Sequence, residues 1–348
     1  MAGSTGAVRT VEGCIEISER RDLAQHPELW GLLGYIDDIV AFAPDEVSAW
    51  EMVNAIFKTA NRLGMSFSRA KFLPPAPRNK AIGFIFDLPQ QTVHIPEDKL
   101  VKARGYILTI INAPLAPAKK TESLLGLLQW MAPIIYPSKV MLRTLTAELT
   151  QCNHDERTHY HLSNEARGHL RWWLQWSEQL NTCSFDTVLG IFPTDDVFIY
   201  TDASDWGIGA WLLPRRRFFN ISFTRMPRRF KDLATTHISV REAVAFAVAV
   251  CTWEEHISHR FVRCFLDNKP VVQALIKLWS SNERIMKQLR TVALAAVRTQ
   301  CRFMYHWIPT LRNPVADALS WNLPQEFKAA IGERVAYRDS VPFDLLEL

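Results

Sequence analysis

Four acidic side chains in the second half of this 348-residue chain could converge on one catalytic site. Two of them end apolar, strand-like runs, and two lie at predicted helix starts. The four residues are Asp202, Glu242, Asp267 and Asp317. Carboxylates placed in this way can meet and hold divalent cations, since Mg²⁺ prefers hard oxygen ligands. Hydrolysis of a phosphodiester bond by two metal ions, roughly 3.5–4 Å apart, needs such ligands. We therefore predict that the four acids are catalytic ligands for two ions of Mg²⁺ or Mn²⁺.

Each acid also has a structural explanation of its own. Asp202 could cap the end of a strand, and Glu242 could close a capping box with Ser239. Asp267 could belong to a turn that caps the next helix. Asp317 could simply occupy a first helical turn, where the helix dipole favours an acid. Singly these explanations are at least as good as the catalytic one, but the order of all four acids on these elements favours catalysis.

The elements that must position the acids follow from the hydrophobic periodicity. From Val197 the pattern predicts three strands, a helix, a strand, a helix, a strand and a last helix that ends near Leu323. This order is typical of a mixed sheet flanked by helices. Residues 324–348 have no strong periodicity and are interpreted as a tail.

A basic stretch lies within this predicted sheet region. Residues 215–231 contain seven basic side chains and no acidic one, with phenylalanines interleaved. A basic loop with aromatic residues suits a phosphate backbone, although a solvated loop beside a strand explains it equally well. The candidate nucleic-acid-binding residues are Arg215, Arg216, Arg217, Arg228, Arg229 and, from the first half of the chain, Lys71.

The beginning of the chain predicts a different set of elements. Residues 1–27 are rich in Gly, Thr and Glu and are interpreted as a poorly ordered lead-in. Two apolar runs then flank Asp37-Asp38, which predicts a hairpin with acidic residues at its tip. The next predicted elements are a helix from about Asp45 to Leu63 that stops at Gly64, and strands at Lys80–Phe86 and Gln91–Ile95.

Helices dominate residues 96–150. They are predicted from Pro96 to about Asn112, from Thr121 onward, and through Leu142, Leu145 and Leu149. A polar stretch then leads into an amphipathic, Trp-rich helix at Ser163–Leu180, within a connecting segment, 151–194. The fold class predicted for the whole chain is therefore a multidomain mixture of α+β and α/β.

Composition excludes several classes of protein. The six cysteines are scattered without a CxxC pair, so neither zinc sites nor a disulfide framework is expected. No apolar stretch is long enough to span a membrane, and acidic residues interrupt the start of the chain, unlike a secretion signal. We therefore expect an intracellular protein, in the cytoplasm or nucleus, without a membrane partner. The net charge of +4 is too small to argue for nucleic acid by itself.

Several short motifs around the four acids resemble the RNase H domains of retroelements, over residues 195–323. The matching segments are Tyr200–Ser204, Gly207–Ala210, Ser239–Ala243, Leu266–Asn268, Trp307–Asn313 and Ala316–Ser320. The family often has glycine where this chain has Thr310. The resemblance implies an RNase H-like mixed sheet and an endonuclease that cleaves the RNA strand of RNA–DNA hybrids with two metal ions. Contacts to 2′-hydroxyls would distinguish the RNA strand.

The first half of the chain resembles a reverse transcriptase. Tyr35-Ile36-Asp37-Asp38 is similar to the Y-x-D-D hairpin of that family, whose aspartates bind catalytic metal. Gly64, Lys71 and Ile82-Gly83-Phe84 resemble the following palm motifs and the primer grip. The resemblance implies the C-terminal part of a palm at 28–95, a thumb at 96–150 and a connector at 151–194. Tyr35, Asp37 and Asp38 are the implied polymerase-motif residues, with the two aspartates as further metal ligands.

The polymerase resemblance is incomplete. The family carries a third metal-binding aspartate upstream of the hairpin, but only 34 residues precede Tyr35 and none resembles that motif. We therefore expect a truncated reverse transcriptase that does not polymerise alone and whose missing upstream segment is a candidate partner. Primer extension with a template and dNTPs tests this.

The order of the domains points to a retroelement polyprotein fragment, of the LTR type or the DIRS type. The alternative is a remnant or domesticated protein that binds nucleic acid without cleaving it. A transposase of the same fold is disfavoured, because those enzymes use a different set of acids.

Overall fold

A computed structural model describes residues 31–35, 38–152, 158–189 and 197–343 of the chain. The backbone divides into two units. The first unit takes residues up to 100 together with 181–188. The second unit takes residues 101–180 and those from 189 onward.

The described part of the first 189 residues consists of short strands and amphipathic helices. In chain order they are β1 (Gly31–Tyr35), β2 (Asp38–Phe42), α1 (Glu46–Arg62), β3 (Arg78–Ala81), β4 (Phe84–Asp87), β5 (Thr92–His94), α2 (Glu97–Asn112), β6 (Ala116–Pro117), α3 (Ala118–Met131), α4 (Arg143–Gln151), β7 (His159–Tyr160), α5 (Asn164–Trp176), β8 (Cys183–Ser184) and α6 (Phe185–Leu189).

A hairpin and a helix open the first unit, as predicted. Strands β1 and β2 pair antiparallel with Tyr35 opposite Asp38, while Asp37 lies outside the described residues. Helix α1 begins after Asp45, whose carboxylate accepts from the Ser48 amide at 2.9 Å. It ends just before Gly64, which adopts φ +71°. The capping residue and the glycine therefore set both ends of this helix, as their types indicate.

The strand predicted at Lys80–Phe86 is wrong, because a turn interrupts it. Ile82 and Gly83 adopt φ values of 51° and 87°, so β3 and β4 fold back on each other and pair antiparallel. The positive φ at an isoleucine carries no local sequence signal, which explains the error. Strands β5 and β8 complete a four-stranded sheet in the order β3-β4-β5-β8.

Helices α3 to α5 and α2 from residue 101 onward form the first helical part of the second unit. Apolar side chains of these helices are fully buried, including Leu124, Leu128, Met131 and Trp173. Helix α3 begins at Ala118, three residues before the predicted start, and the Thr121 hydroxyl donates back to the Pro117 carbonyl at 3.0 Å.

The described residues from 197 onward form a six-stranded sheet with helices. The elements are β9 (Val197–Ala203), β10 (Gly207–Leu213), β11 (Arg217–Ser222), α7 (Ile238–Thr252), α8 (Glu254–Ile257), β12 (Phe261–Leu266), α9 (Lys269–Lys277), α10 (Glu283–Thr299), β13 (Arg302–Trp307), α11 (Pro314–Ser320), α12 (Pro324–Ile331) and β14 (Tyr337–Arg338). Two helices, α9 and α10, occupy the interval between β12 and β13 where one helix is predicted. Leu278 ends α9 in a left-handed conformation, and Asn282 caps the start of α10. The helix is therefore interrupted between these two residues.

The sheet is mixed, as predicted, with strand order β13-β12-β9-β10-β11-β14. Strands β9, β10 and β11 are antiparallel neighbours, whereas β12 and β13 run parallel to β9. The C-terminal ends of β9, β12 and β13 therefore lie at the same edge of the sheet. This edge carries the candidate site.

The segment 324–348, which is interpreted as a tail without strong periodicity, contains a helix and a short strand in its described part. Helix α12 packs the Phe327 ring against Trp211 and Phe218, with centroids 6.1 and 4.8 Å away. Strand β14 then pairs in parallel with β11. A two-residue strand is too short to show an alternating pattern, and its partner is distant in the chain, so periodicity could not reveal it.

None of the helices in the described ranges combines the length and the apolar character that crossing a membrane requires.

Candidate active site

Three of the four predicted acids meet at the edge of the sheet. One carboxylate oxygen from each of Asp202, Glu242 and Asp267 lies within 4.8 Å of the other two. Asp202 is the penultimate residue of β9, and Asp267 directly follows β12, its parallel neighbour. Glu242 reaches the same point from the beginning of α7. Two adjacent strand ends and one helix start therefore bring the three carboxylates together.

The side chain of Asp202 is buried and is held by a hydrogen bond from helix α11. Its side chain is only 4% exposed, and its Oδ2 accepts a hydrogen bond from the Ser320 hydroxyl of α11. The pKa of Asp202 is raised from 3.8 to about 7, first by burial and then by the charges of Asp267 and Asp317, against the lowering effect of Ser320. Burial and like charges both disfavour the ionised form. The site therefore needs a compensating positive charge to hold this carboxylate ionised.

Glu242 is not part of a capping box. The N-cap of α7 is His237, whose Nδ1 accepts from the Ser239 amide at 3.2 Å. Glu242 instead turns to the sheet, where Oε1 accepts from the Ala203 amide at 3.3 Å. Its Oε2 is buried and has no hydrogen-bond partner among the described residues. The pKa of Glu242 is raised well above its usual value by burial and by the charges of Asp202 and Asp267.

Asp267 is not needed as the cap of the next helix. Asn268 performs that role, since its side-chain oxygen accepts from the Val271 amide at 3.2 Å. The Asp267 carboxylate accepts from the Thr310 hydroxyl at 2.8 Å, and its carbonyl accepts from the Trp307 indole at 2.8 Å. The last residue of β13 and Thr310, three residues later, therefore hold Asp267 next to the other two acids.

Asp317 flanks this group. It lies half-buried in the first turn of α11, outside the set of three carboxylates. Its pKa is raised by burial and by the charge of Asp267, and its own charge raises the pKa of Asp202. Asp317 is thus close enough to interact electrostatically with two members of the cluster.

Three contacts, two to the acids themselves and one to the backbone beside Asp202, could not be inferred from the sequence. Ser320 binds Asp202, Thr310 binds Asp267, and the Asn313 amide donates to the Thr201 carbonyl at 2.9 Å. The only sequence indication was that Ser320 and Asn313 lie within matched motifs and that Thr310 departs from one. The roles of these side chains depend on strands that are remote in the chain.

The donor set fits a divalent cation. It offers three carboxylates, hard oxygen ligands of the kind Mg²⁺ and Mn²⁺ take, and one buried oxygen of Glu242 lacks a described partner. The neighbouring Arg241 directs its guanidinium elsewhere, donating to Asp205 at 2.6 Å and to the carbonyls of Ser204, Leu233 and Ala234. A buried group of carboxylates is costly without a counter-charge, and a metal ion would supply one.

The basic stretch is not the loop that the sequence predicts. Arg215 and Arg216 are exposed in the turn between β10 and β11, but Arg217 pairs with Asp339 at 2.5 Å. The interleaved aromatic residues Phe219, Phe223 and Phe230 are buried. Phe219 lies in β11 and the other two lie in the 3-10 turns after it, and all three side chains are part of the core.

The remaining predicted residues are not members of the group of three acids. Arg228 and Lys71 are exposed, and the backbone of Arg229 belongs to the 3-10 helix at Arg228–Thr235. Asp38 is exposed at the start of β2 and, within the described ranges, belongs to no group of three candidate ligands. The polymerase-motif assignment therefore remains a prediction.

The comparisons with known proteins find similar structures only. No family model and no curated protein matches the chain. A foamy viral protease-reverse transcriptase in complex with an RNA/DNA hybrid is 15% identical, with a TM-score of 0.38, over 82% of this chain and 36% of that chain. A second foamy viral structure, with double-stranded DNA, is 13% identical, with a TM-score of 0.38, over 83% of this chain and 48% of the other.

Two bacterial and archaeal structures are similar over a shorter part of the chain. The N-terminal RNase H domain of a Mycobacterium tuberculosis protein is 18% identical, with a TM-score of 0.29, over 36% of this chain and 97% of that one. RNase H1 from Halobacterium salinarum is 14% identical, with a TM-score of 0.29, over 37% and 98%. The chain thus spans less than half of the two foamy viral chains and nearly all of the two RNase H chains.

Proposed function

We propose that residues 195–323 are an RNase H-type endonuclease that cleaves the RNA strand of RNA–DNA hybrids. The observation that carries this proposal is the meeting of Asp202, Glu242 and Asp267, with the buried Oε2 of Glu242 left without a described partner. The motifs that resemble RNase H domains of retroelements support the same chemistry. A capping or turn role does not account for this geometry.

All four acids would take part in binding the metal ions. Asp202, Glu242 and Asp267 would bind two Mg²⁺ or Mn²⁺ ions, and Asp317 would complete the set from α11. When bound, such ions activate a water and stabilise the leaving oxygen of the cleaved bond. The chain itself preorganises the ligands, because Ser320, Thr310 and the Ala203 amide each donate to one of them.

Basic residues would bind the phosphate backbones of the hybrid. Arg215 and Arg216 occupy a turn at the sheet, and Arg228, Arg229 and Lys71 are further candidates. Arg217, already paired with Asp339, would chiefly anchor this turn. Contacts to 2′-hydroxyls would select the RNA strand for cleavage.

A polymerase-related role for the first half is a separate proposal. Residues 28–95 would form part of a palm, 96–150 a thumb and 151–194 a connector. Tyr35, Asp37 and Asp38 would be its motif residues, and the paired aspartates would bind metal. The resemblance of the Y-x-D-D segment and the observed β1–β2 hairpin support it.

The nuclease proposal is tested with an RNA–DNA hybrid whose RNA strand is labelled. We expect Mg²⁺- or Mn²⁺-dependent cleavage of that strand, and a loss of at least about 100-fold for Asp202→Asn or Glu242→Gln, because each removes a metal ligand. Asp232→Asn, at an exposed acid outside the cluster, is the matched control and should cleave like wild type.

Equal cleavage by wild type and Asp202→Asn would refute the nuclease proposal. Tight hybrid binding without cleavage by either protein would instead support the non-catalytic, nucleic-acid-binding alternative.

A further inference from the structure

We propose that Thr310 is a positioning residue that holds the Asp267 carboxylate in its metal-binding orientation. This inference rests on the nuclease function proposed above. Its basis is the 2.8 Å hydrogen bond from the Thr310 hydroxyl to Oδ2 of Asp267. Within the resembled family, glycine often stands at this position and could not make such a bond.

The end of β13 places Thr310 opposite Asp267. Strands β12 and β13 are parallel, with Leu266 in register with Trp307, and the Ile308 amide donates to the Leu266 carbonyl at 3.0 Å. The indole of Trp307 then donates to the Asp267 carbonyl at 2.8 Å. These two bonds hold the backbone at residues 266 and 267, and the hydroxyl of Thr310 holds the side chain of Asp267.

Asp267 is the member of the cluster that most needs such a contact. Asp202 and Glu242 are 4% and 3% exposed, whereas Asp267 is only partly buried. An aspartate at the surface of the cluster can relieve repulsion from two buried carboxylates by rotating its side chain toward solvent. A hydrogen bond to Oδ2 opposes that rotation.

Threonine suits this task because its branched Cβ restricts the hydroxyl to few orientations. The bond also leaves metal-binding capacity intact, since an ionised carboxylate offers about four acceptor positions and Thr310 occupies one. Residues that orient metal ligands in this way typically change metal affinity or activity by about 10–100-fold when they are removed. Because Thr310 is exposed, we expect an effect near the lower end of that range.

The test compares Thr310→Val, which keeps the shape but removes the hydroxyl, with Thr310→Ser, which restores it. Mn²⁺ binding is followed by the EPR signal of free Mn²⁺, and hybrid cleavage is measured across a Mg²⁺ titration. Thr252→Val is the matched control, because the Thr252 hydroxyl donates to the Val248 carbonyl of its own helix. It lies ten residues beyond Glu242, about 15 Å along α7.

We expect Thr310→Val to bind Mn²⁺ about 10-fold more weakly and to need about 10-fold more Mg²⁺ for half-maximal cleavage. Its maximal rate at saturating metal should change much less. Thr310→Ser and Thr252→Val should behave like wild type. Thermal unfolding of each variant without metal reports on folding, and Thr310→Ala replaces Thr310→Val if the latter is less stable than wild type.

Two different failures can be told apart. If wild type binds Mn²⁺ and cleaves, and the hydroxyl-free variants match it in both assays, Thr310 has no positioning role. If wild type shows no more Mn²⁺ binding than Asp267→Asn and no cleavage, the proposed function itself fails. Failure of Thr310→Ser to recover Mn²⁺ affinity would also count against the hydroxyl bond.

Discussion

At the scale of single residues, the buried carboxylates of the candidate site are expected to lower the stability of the metal-free fold. Asp202 and Glu242 are buried carboxylates beside Asp267, and burial with like charges raises the pKa of both. Such groups destabilise the fold in their ionised form unless a cation is bound. The same side chains are therefore expected to limit stability and to provide activity.

Replacement of Asp202 with asparagine should stabilise the metal-free protein while abolishing cleavage. The pKa rise from 3.8 to about 7 corresponds to at most about 4 kcal/mol for ionising this group in the fold, at about 1.36 kcal/mol per unit. Asparagine keeps an acceptor for Ser320 but carries no charge. Thermal unfolding in EDTA at pH 8 should show a Tm higher by a few degrees. An unchanged or lower Tm would contradict the destabilisation that we assign to the ionised Asp202 carboxylate.

The pH dependence of stability follows from the same shift. Because the folded-state pKa of Asp202 lies above its unfolded value, the folded protein binds the proton more tightly. This contribution is fully present below the unfolded pKa of 3.8 and is lost as pH rises through about 7. We therefore expect metal-free wild type to match Asp202→Asn near pH 4 and to fall progressively below it up to pH 8, as judged by Tm.

Metal should reverse this loss. Mg²⁺ added at pH 8 should raise the Tm of wild type toward that of Asp202→Asn and leave the variant less affected, because a bound cation compensates the carboxylate charges. A Tm difference between the two proteins that is independent of pH would show that Asp202 does not titrate in this range.

At the scale of elements, the packing of α11 on β10 positions two of the functional side chains. A Cβ atom built on Gly209 would lie 2.5 Å from the Ser320 amide and 2.6 Å from the Leu319 Cβ. No L side chain fits there without moving the helix. Since α11 carries both Ser320 and Asp317, this glycine controls the distance of their side chains from Asp202.

Gly209→Ala should therefore lower both stability and activity. Overpacking at a tight contact typically costs about 1–3 kcal/mol, and a displaced α11 would loosen the bond from Ser320 to Asp202. Gly126→Ala in α3 is the matched control, because its Cβ would meet nothing within 4 Å. That variant should be more stable by about 0.5–1 kcal/mol, since alanine is favoured inside a helix. Urea unfolding and hybrid cleavage measure both effects, and full activity of a stable Gly209→Ala would contradict this role.

At the scale of the whole molecule, the modest net charge of +4 conceals local differences. Arg217 is committed to Asp339, while Arg215 and Arg216 project from their turn. Similarly, Arg143 of α4 donates to the carbonyls of Ser280 and Ser281 and so ties α4 to the loop between α9 and α10. Some basic residues thus serve the structure, and we propose that Arg215 and Arg216 serve binding.

The salt dependence of hybrid binding separates these two roles. The double variant Arg215→Ala/Arg216→Ala should bind an RNA–DNA hybrid more weakly, and its plot of log affinity against log salt should be shallower by up to about 2, at slightly under one unit per phosphate contact. Arg217→Ala should instead lower Tm, with a smaller change of slope. An unchanged slope in the double variant would exclude these arginines from phosphate binding. Asp202→Asn serves as the cleavage-deficient background for every titration.

The sequence by itself determined the local features of this protein. Acids at strand ends and helix starts, the cap at Asp45 and the hairpin of β1 and β2 depend on neighbours a few residues away. The described structure contains each of them. It did not reveal the turn at Ile82, because a positive φ at isoleucine is imposed by its surroundings. Nor did it reveal β14, whose partner strand is far away in the chain.

Only the tertiary structure decided which acids meet and what holds them. It places Asp202, Glu242 and Asp267 in one cluster and Asp317 beside it. The bonds from Ser320 to Asp202 and from Thr310 to Asp267 join residues 118 and 43 positions apart. Periodicity and short motifs report on contacts within a helical turn or a strand, whereas these distances are set by strand pairing and by the packing of α11 on the sheet.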